Sequence, residues 1–290
     1  MLQAILMVWV LASDPEAAAQ AYMDHFDYVA GEVGRVAPEL ADALARPELA
    51  GQPYTTVYPG DGHATGVRWV RGGGPDHQPM QRLGWSAIEL LVQDPDTLVH
   101  TLPETEFTRL HGPAYLTDVQ NIRAAQLLGP AGELLYVTRI LDASRSLLPV
   151  VNPGVAVGHP FIMVAGSADL SATRAFFRQH FANPVTEPVP FRIDVLSQAY
   201  GLPGDTLHDL TLVTFAQPFG LEFDQYPDNA EAQPLPLSRR GGVVLVTVSV
   251  EAAELPGELP WVLRHSPEEG KPAGGILRLP SGTPLEVRFR

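Results

Sequence analysis

Four stretches of the chain share one pattern: an apolar, largely β-branched run, then a polar cap, then residues at helical spacing. The runs begin at Leu2 ("LQAILMVWVLA"), Trp85 ("WSAIELLVQ"), His159 ("HPFIMVAG") and Val243 ("VVLVTVSV"), a near-regular interval. By length and composition each predicts a buried strand. After the first, Ser13 or Asp14 can cap a helix with Pro15 at its first position, and Ala17, Ala18, Ala21, Tyr22 and Phe26 fall at helical spacing. Asp94 and Pro95 repeat the arrangement after the second run. After the third, Asp169 or Ser171 precedes an apolar stripe of Leu170, Phe176, Phe177 and Phe181. Only the fourth is degenerate, since "EAAELPGELPWVLRHS" leaves room for no more than a short, interrupted helix.

Strand-like pieces separated by Gly and Pro follow each helix, among them "PYTTVYPGDG", "TGVRWVRGGG", "IRAAQLLGPAGELLYVTRIL" and "AGGILRLPSGTPLEVRFR". The pattern therefore predicts an α+β chain of four βαβββ modules. The Pro-rich passage near 148–160 suggests a division into an N-terminal pair, 1–147 (modules 1–80 and 81–147), and a C-terminal pair, 148–290 (modules 148–235 and 236–290). "RGGGPDHQP", 71–79, lacks the Lys-Ser/Thr and helix start of a phosphate loop and reads as a linker between modules.

Composition removes several function classes. The 290 residues carry a formal charge of −14 and one lysine, Lys271, with no basic patch to meet nucleic acid or an anionic membrane. There are no cysteines, which excludes disulfides, thiolate metal sites and cysteine nucleophiles. The apolar N-terminal run has no preceding Lys or Arg, and Asp14 and Glu16 follow at once, so a strand entering a helix explains it better than a signal peptide. A soluble, cytoplasmic protein is expected.

The letters "VGHPFIMVAGSADLSATRAFF", with "GPAGELLYVTRI" and "SGTPLEVRFR" as closing strands, resemble the vicinal oxygen chelate superfamily, which includes glyoxalase I, bleomycin-resistance proteins and extradiol dioxygenases. The resemblance spans nearly the whole chain. It implies modules paired into open, barrel-like cups, with metal ligands on the first and last strand of each module. Carried over position by position, the opening-strand ligand places hold Trp85, His159 and Val243, and the closing-strand places hold Tyr136, Glu222 and Glu286. On this reading the N-terminal cup is metal-free, filled by Trp85 and Tyr136. His159, Glu222 and Glu286 would hold a divalent Mn, Fe, Ni, Zn or Mg ion in the C-terminal cup. The second opening-strand His of the dioxygenases is missing at Val243.

Plainer readings stand beside these. His159 could be a strand-edge histidine, Glu222 a solvated carboxylate and Glu286 the partner of Arg288, while Asp224 and Asp194 read as surface or turn residues. "FRIDVLSQAYGLPGDTLHDLTLV" places Arg192, Gln198 and Tyr200 in a polar passage suited to substrate contacts, and His208, in its loop-like part, could serve as general acid–base. Phe161 and Phe215 are candidate apolar walls for a small oxygenated, partly apolar substrate. Three functions remain open: a metal-dependent isomerase or lyase, a relative of the ring-cleaving dioxygenases, and a metal-free small-molecule binding or resistance protein. Exposed sheet edges leave a homodimer open as well.

Overall fold

The structure, a computed structural model, describes all residues except 75, 117–118, 149, 232–236, 252–254, 256–257 and 267–272. Module one comprises β1 (Leu2–Ala12), α1 (Pro15–Phe26), β2 (Val29–Arg35), a short α2 (Pro38–Ala43), β3 (Pro53–Tyr58) and β4 (Gly66–Arg71). Module two has β5 (Gly84–Val92), α3 (Pro95–Thr101), β6 (Thr108–Tyr115), β7 (Ile122–Leu128) and β8 (Leu134–Ile140). In module three, β9 (Val157–Ser167) and α4 (Leu170–His180) precede β10 (Val189–Arg192), α5 (Asp194–Ala199), β11 (Leu207–Thr214) and β12 (Gly220–Gln225). Module four contributes β13 (Gly242–Val250), β14 (Trp261–His265), β15 (Gly274–Arg278) and β16 (Pro284–Phe289). Residues 252–254 and 256–257 of the passage read as its interrupted helix lie outside the described residues, and "WVLRH" within it is strand β14.

The predicted caps form. Asp14, Asp94 and Asp169 each accept a backbone N–H of the first helical turn, from Ala17, Asp96 and Ala172. Such a bond satisfies one of the helix's orphan donors and contributes roughly 1 kcal/mol. The helices then bury their apolar stripes. Tyr22 and Phe26 of α1 meet Trp69 and Phe107, and Phe177 of α4 meets Phe223.

Pairing of the modules departs from the expectation that chain neighbours share a sheet. One eight-stranded sheet runs β14-β15-β16-β13-β1-β4-β3-β2 and joins modules one and four; the other runs β10-β11-β12-β9-β5-β8-β7-β6 and joins modules two and three. Within a module the first and last strands are parallel, and the modules meet through their antiparallel opening strands, β1 with β13 and β5 with β9. The 148–160 passage is therefore no boundary between sheets. The chain crosses between sheets at 72–83 and again at 226–241, and the two crossings are bonded together: Gly74 N–H donates to the Arg240 carbonyl, Asp76 N–H to Ser238 and Leu83 N–H to Glu231. That pairing brings the first and fourth modules side by side. It also packs the described part of 71–79 against 238–242.

Alternation along the strands sorts residues into two faces. Val8, Val10, Ile88, Leu90, Met163, Val246 and Val248 are fully buried in the main core, while Trp9, Glu89, Ile162 and Thr247 take the opposite, inner faces. Among the described residues, no helix is long and apolar enough to cross a membrane.

Candidate functional site

The inner face of the second sheet surrounds a cavity of about 590 Å³. Ladder register decides what faces it. Glu89 on β5 lies beside Tyr136 on β8 and Ile162 on β9; Gln126 on β7 lies beside Tyr136; Glu222 and Asp224 on β12 lie beside Leu212 and Leu210 of β11. Phe161, Ile140 and Phe191 complete the apolar walls.

Two carboxyls, Glu89 and Glu222, thus sit at the floor of a mostly apolar hollow, with Asp224 fully buried beside Glu222. Burial, then the charge of Glu222, pushes Glu89 up to about 8, against the opposing pull of the Thr138 hydroxyl. Glu222 is raised well above the ordinary carboxylate range by burial and by Asp224 at its side. Asp224, fully buried, is raised chiefly by burial; its bond with Glu222 works in the opposite sense. As carboxylates the two residues offer each other only acceptors, and both Asp224 oxygens then lack a donor. One proton held by Glu222 and donated to Asp224 resolves the conflict, as like charges in contact cannot both ionise cheaply. The Tyr136 hydroxyl and Gln126 Oε1 are also buried without a partner. Unsatisfied buried polar atoms cost roughly 1–3 kcal/mol each, so several at one cavity floor mark a place organised for something other than stability.

The residues expected to form a metal triad do not converge. His159 sits on β9 five positions before Val164, the register partner of Glu222, a separation of roughly 16 Å along the strand. Its ring stacks face to face on His63 at 3.5 Å and packs beside Phe219. Burial and the neighbouring His63 lower it to about 4. Glu286 belongs to the other sheet, where it accepts from Thr247 (2.6 Å) and pairs with Arg288 (3.1 Å). Among the described residues no three His, Asp or Glu side chains form a metal-ligand group. The glyoxalase-like expectation of a divalent ion meets an oxygen-rich floor of the right hardness but not an arranged ligand set among the described residues.

Other candidates divide similarly. Arg192 and Phe161 line the cavity, as does Arg145 at its mouth. Gln198 and Tyr200 do not; Gln198 points outward from α5, and Tyr200 packs edge-on against Tyr226. "SQA" is the end of a helix rather than a loop, and Asp194 at its start pairs with His111. His208 is a strand residue, buried and bonded to Ser197 Oγ at 2.8 Å, with burial lowering its affinity for a proton. It is not among the residues that line the cavity. Phe215 packs near Phe219, and Trp85 lines a different cavity. Asp224, read as a surface residue, is among the most deeply buried carboxyls of the chain. Glu89 was missed altogether, although a carboxylate inside the uniformly apolar "WSAIELLVQ" was the available signal.

No family model and no curated protein sequence matches the chain. Solved structures do. Maize (Zea mays) glyoxalase I superposes over 99% of this chain and 92% of its own, with a TM-score of 0.62 at 12% identity. The chain has the glyoxalase fold. A Bacillus subtilis protein named only as a candidate dioxygenase superposes over 99% of this chain and 85% of its own, with a TM-score of 0.59 at 10% identity. Both likenesses bear on the fold, that of the vicinal oxygen chelate proteins, which the sequence resemblance implied.

Proposed function

We propose that the chain is an enzyme of the isomerase or lyase type, moving a proton at carbon beside a carbonyl of a small, largely apolar, oxygenated molecule bound in the cavity of the second sheet. The observation that carries this reading is the carboxyl floor. Burial raises the proton affinity of Glu89, Glu222 and Asp224, Glu89 to about 8 and Asp224 to about 7, toward the range where a group both accepts and returns a proton effectively. The Tyr136 hydroxyl is placed to donate to a substrate oxygen, and Arg145 and Arg192 at the mouth suit a substrate with an acidic end. The walls Phe161, Phe191, Ile162 and Leu212 would exclude water from the reacting carbon.

The test is exchange of carbon-bound hydrogen in heavy water, followed by NMR, over a panel of α-keto acids and α-hydroxy ketones. Wild type should catalyse exchange in at least one member, and Glu89→Gln and Glu222→Gln should each lower the rate by about 10²-fold or more. A compound that binds in the cavity with no exchange would sink the catalytic reading in favour of the binding-protein reading, which the apolar walls favour. Elemental analysis adds an independent arm. One metal per chain, lost in Glu222→Gln, would replace the proton-transfer reading with a metal-dependent one.

A further inference from the structure

A second cavity, of about 330 Å³, lies where modules one, two and four meet, near the bonded crossings between the sheets. Four arginines line it: Arg46 beyond α2, Arg82 before β5, Arg240 before β13 and Arg278 at the end of β15. No carboxylate is among its lining residues. In a chain with a formal charge of −14, this is a marked local reversal of sign.

Structural duties account for only part of this cluster. Arg82 donates to the carbonyls of Gly241 and Val243, and Arg278 to those of Gly282 (3.0 Å) and Ala43 (2.7 Å), so both also fasten strand ends. Arg240 pairs with Glu48, which offsets one positive charge. Arg46 is different. It is only 9% exposed, and its Nη1 is buried with no partner. Burial and the nearby Arg240 hold its proton affinity down to about 10, and His77, in the same field, is lowered to about 3 by burial and Arg82. One carboxylate, Glu48, pairs with Arg240 and also acts on Arg46, so it offsets only part of the charge. Four guanidiniums around one small cavity are therefore costly unless an anion joins them. Their planar forks match the two-oxygen edge of a phosphate or carboxylate. Leu44, Leu83, Trp85 and Val244 offer an apolar wall beside the charges, and the volume suits a small metabolite rather than a polymer.

We infer that this cavity is a binding site for a small organic oxyanion, separate from the carboxyl-floored cavity, with Arg46 and Arg278 as the principal anion ligands. The site is independent of the proton-transfer reading and stands if that reading fails.

The experiment is thermal unfolding and calorimetric titration of the full chain with inorganic phosphate, pyrophosphate and citrate, against sodium chloride at matched ionic strength. Wild type should gain several degrees in Tm with at least one probe and none with chloride. A stronger response to the phosphates than to citrate assigns the phosphate class, and the reverse assigns the carboxylate class. Arg46→Met should weaken binding at least tenfold. It removes a buried guanidinium whose Nη1 has no partner, so it should stay folded without the anion. Arg46→Lys, which keeps the charge and loses the fork, should fall between. An exposed control, Arg178→Ala, should respond as wild type does. Absence of a specific response in wild type, or an undiminished response in folded Arg46→Met, overturns the inference. Were Arg46→Met unfolded, Arg278→Gln would carry the same two outcomes.

Discussion

The two inner faces are built from the same module and have opposite fates. In the sheet of modules one and four, Trp9 fills the space, with the Arg68 guanidinium stacked over its ring at 4.5 Å and over Tyr54 at 4.2 Å. Arg68 is also satisfied by Thr56 and Glu32, Trp9 Nε1 donates to Thr247, and Thr247 donates to Glu286. Around Trp9 the charges of Arg68 and Glu286 are both partnered. In the sheet of modules two and three the same region is hollow, and Asp224, Tyr136 and Gln126 hold buried oxygens without a partner. One copy of the architecture has spent its interior on packing and the other has kept it open, which is the usual mark of where a molecule enters.

That contrast can be broken by truncation. Trp9→Ala should lose about 3–5 kcal/mol in denaturant unfolding, because it empties a filled interior. Ile162→Ala faces a void already and should lose only about 2 kcal/mol, at the low end for such a change. Equal losses at the two positions would remove the distinction between a packed and an open face.

Acidity gives the next largest contrast. Because Glu89 binds its proton more tightly folded than unfolded, its contribution to stability is complete below about pH 4.5. It is lost as pH rises through about 8. Wild type should therefore weaken by up to about 5 kcal/mol from this group across that window, and Glu89→Gln should reduce the slope. A pH-independent wild type would show that the floor is already charged and compensated. On the packed face, Glu286→Gln should cost only about 1 kcal/mol, since Arg288 is partly solvated. Smallest of all, Tyr136→Phe should change stability by less than about 0.5 kcal/mol or raise it slightly, because its hydroxyl has no partner to lose. A loss above about 2 kcal/mol would mean that the hydroxyl is structural.

Local signals were legible to the degree that their physics is local. Caps at Asp14, Asp94 and Asp169 act within one turn, and the repeated strand pattern needs only the alternation of neighbours. Glu222 was legible as a carboxylate that an apolar strand must explain, and Glu89 would have been by the same logic. His159 misled because its place in the repeat resembles a ligand position, whereas its ring is taken by His63, a contact across 96 residues of chain that no spacing reveals.

By itself, the sequence determined the fourfold repeat of buried opening strands, the helix starts at Asp14, Asp94 and Asp169, and the absence of cysteine. Tertiary structure alone decided which units share a sheet, and with that which carboxyls meet. Four apolar opening strands are nearly interchangeable in hydrophobic pattern, so each can pair with any other. The choice is made by long-range contacts, the bonded crossings at 72–83 and 226–241, and those place Glu89 beside Glu222 and leave Glu286 with Arg288.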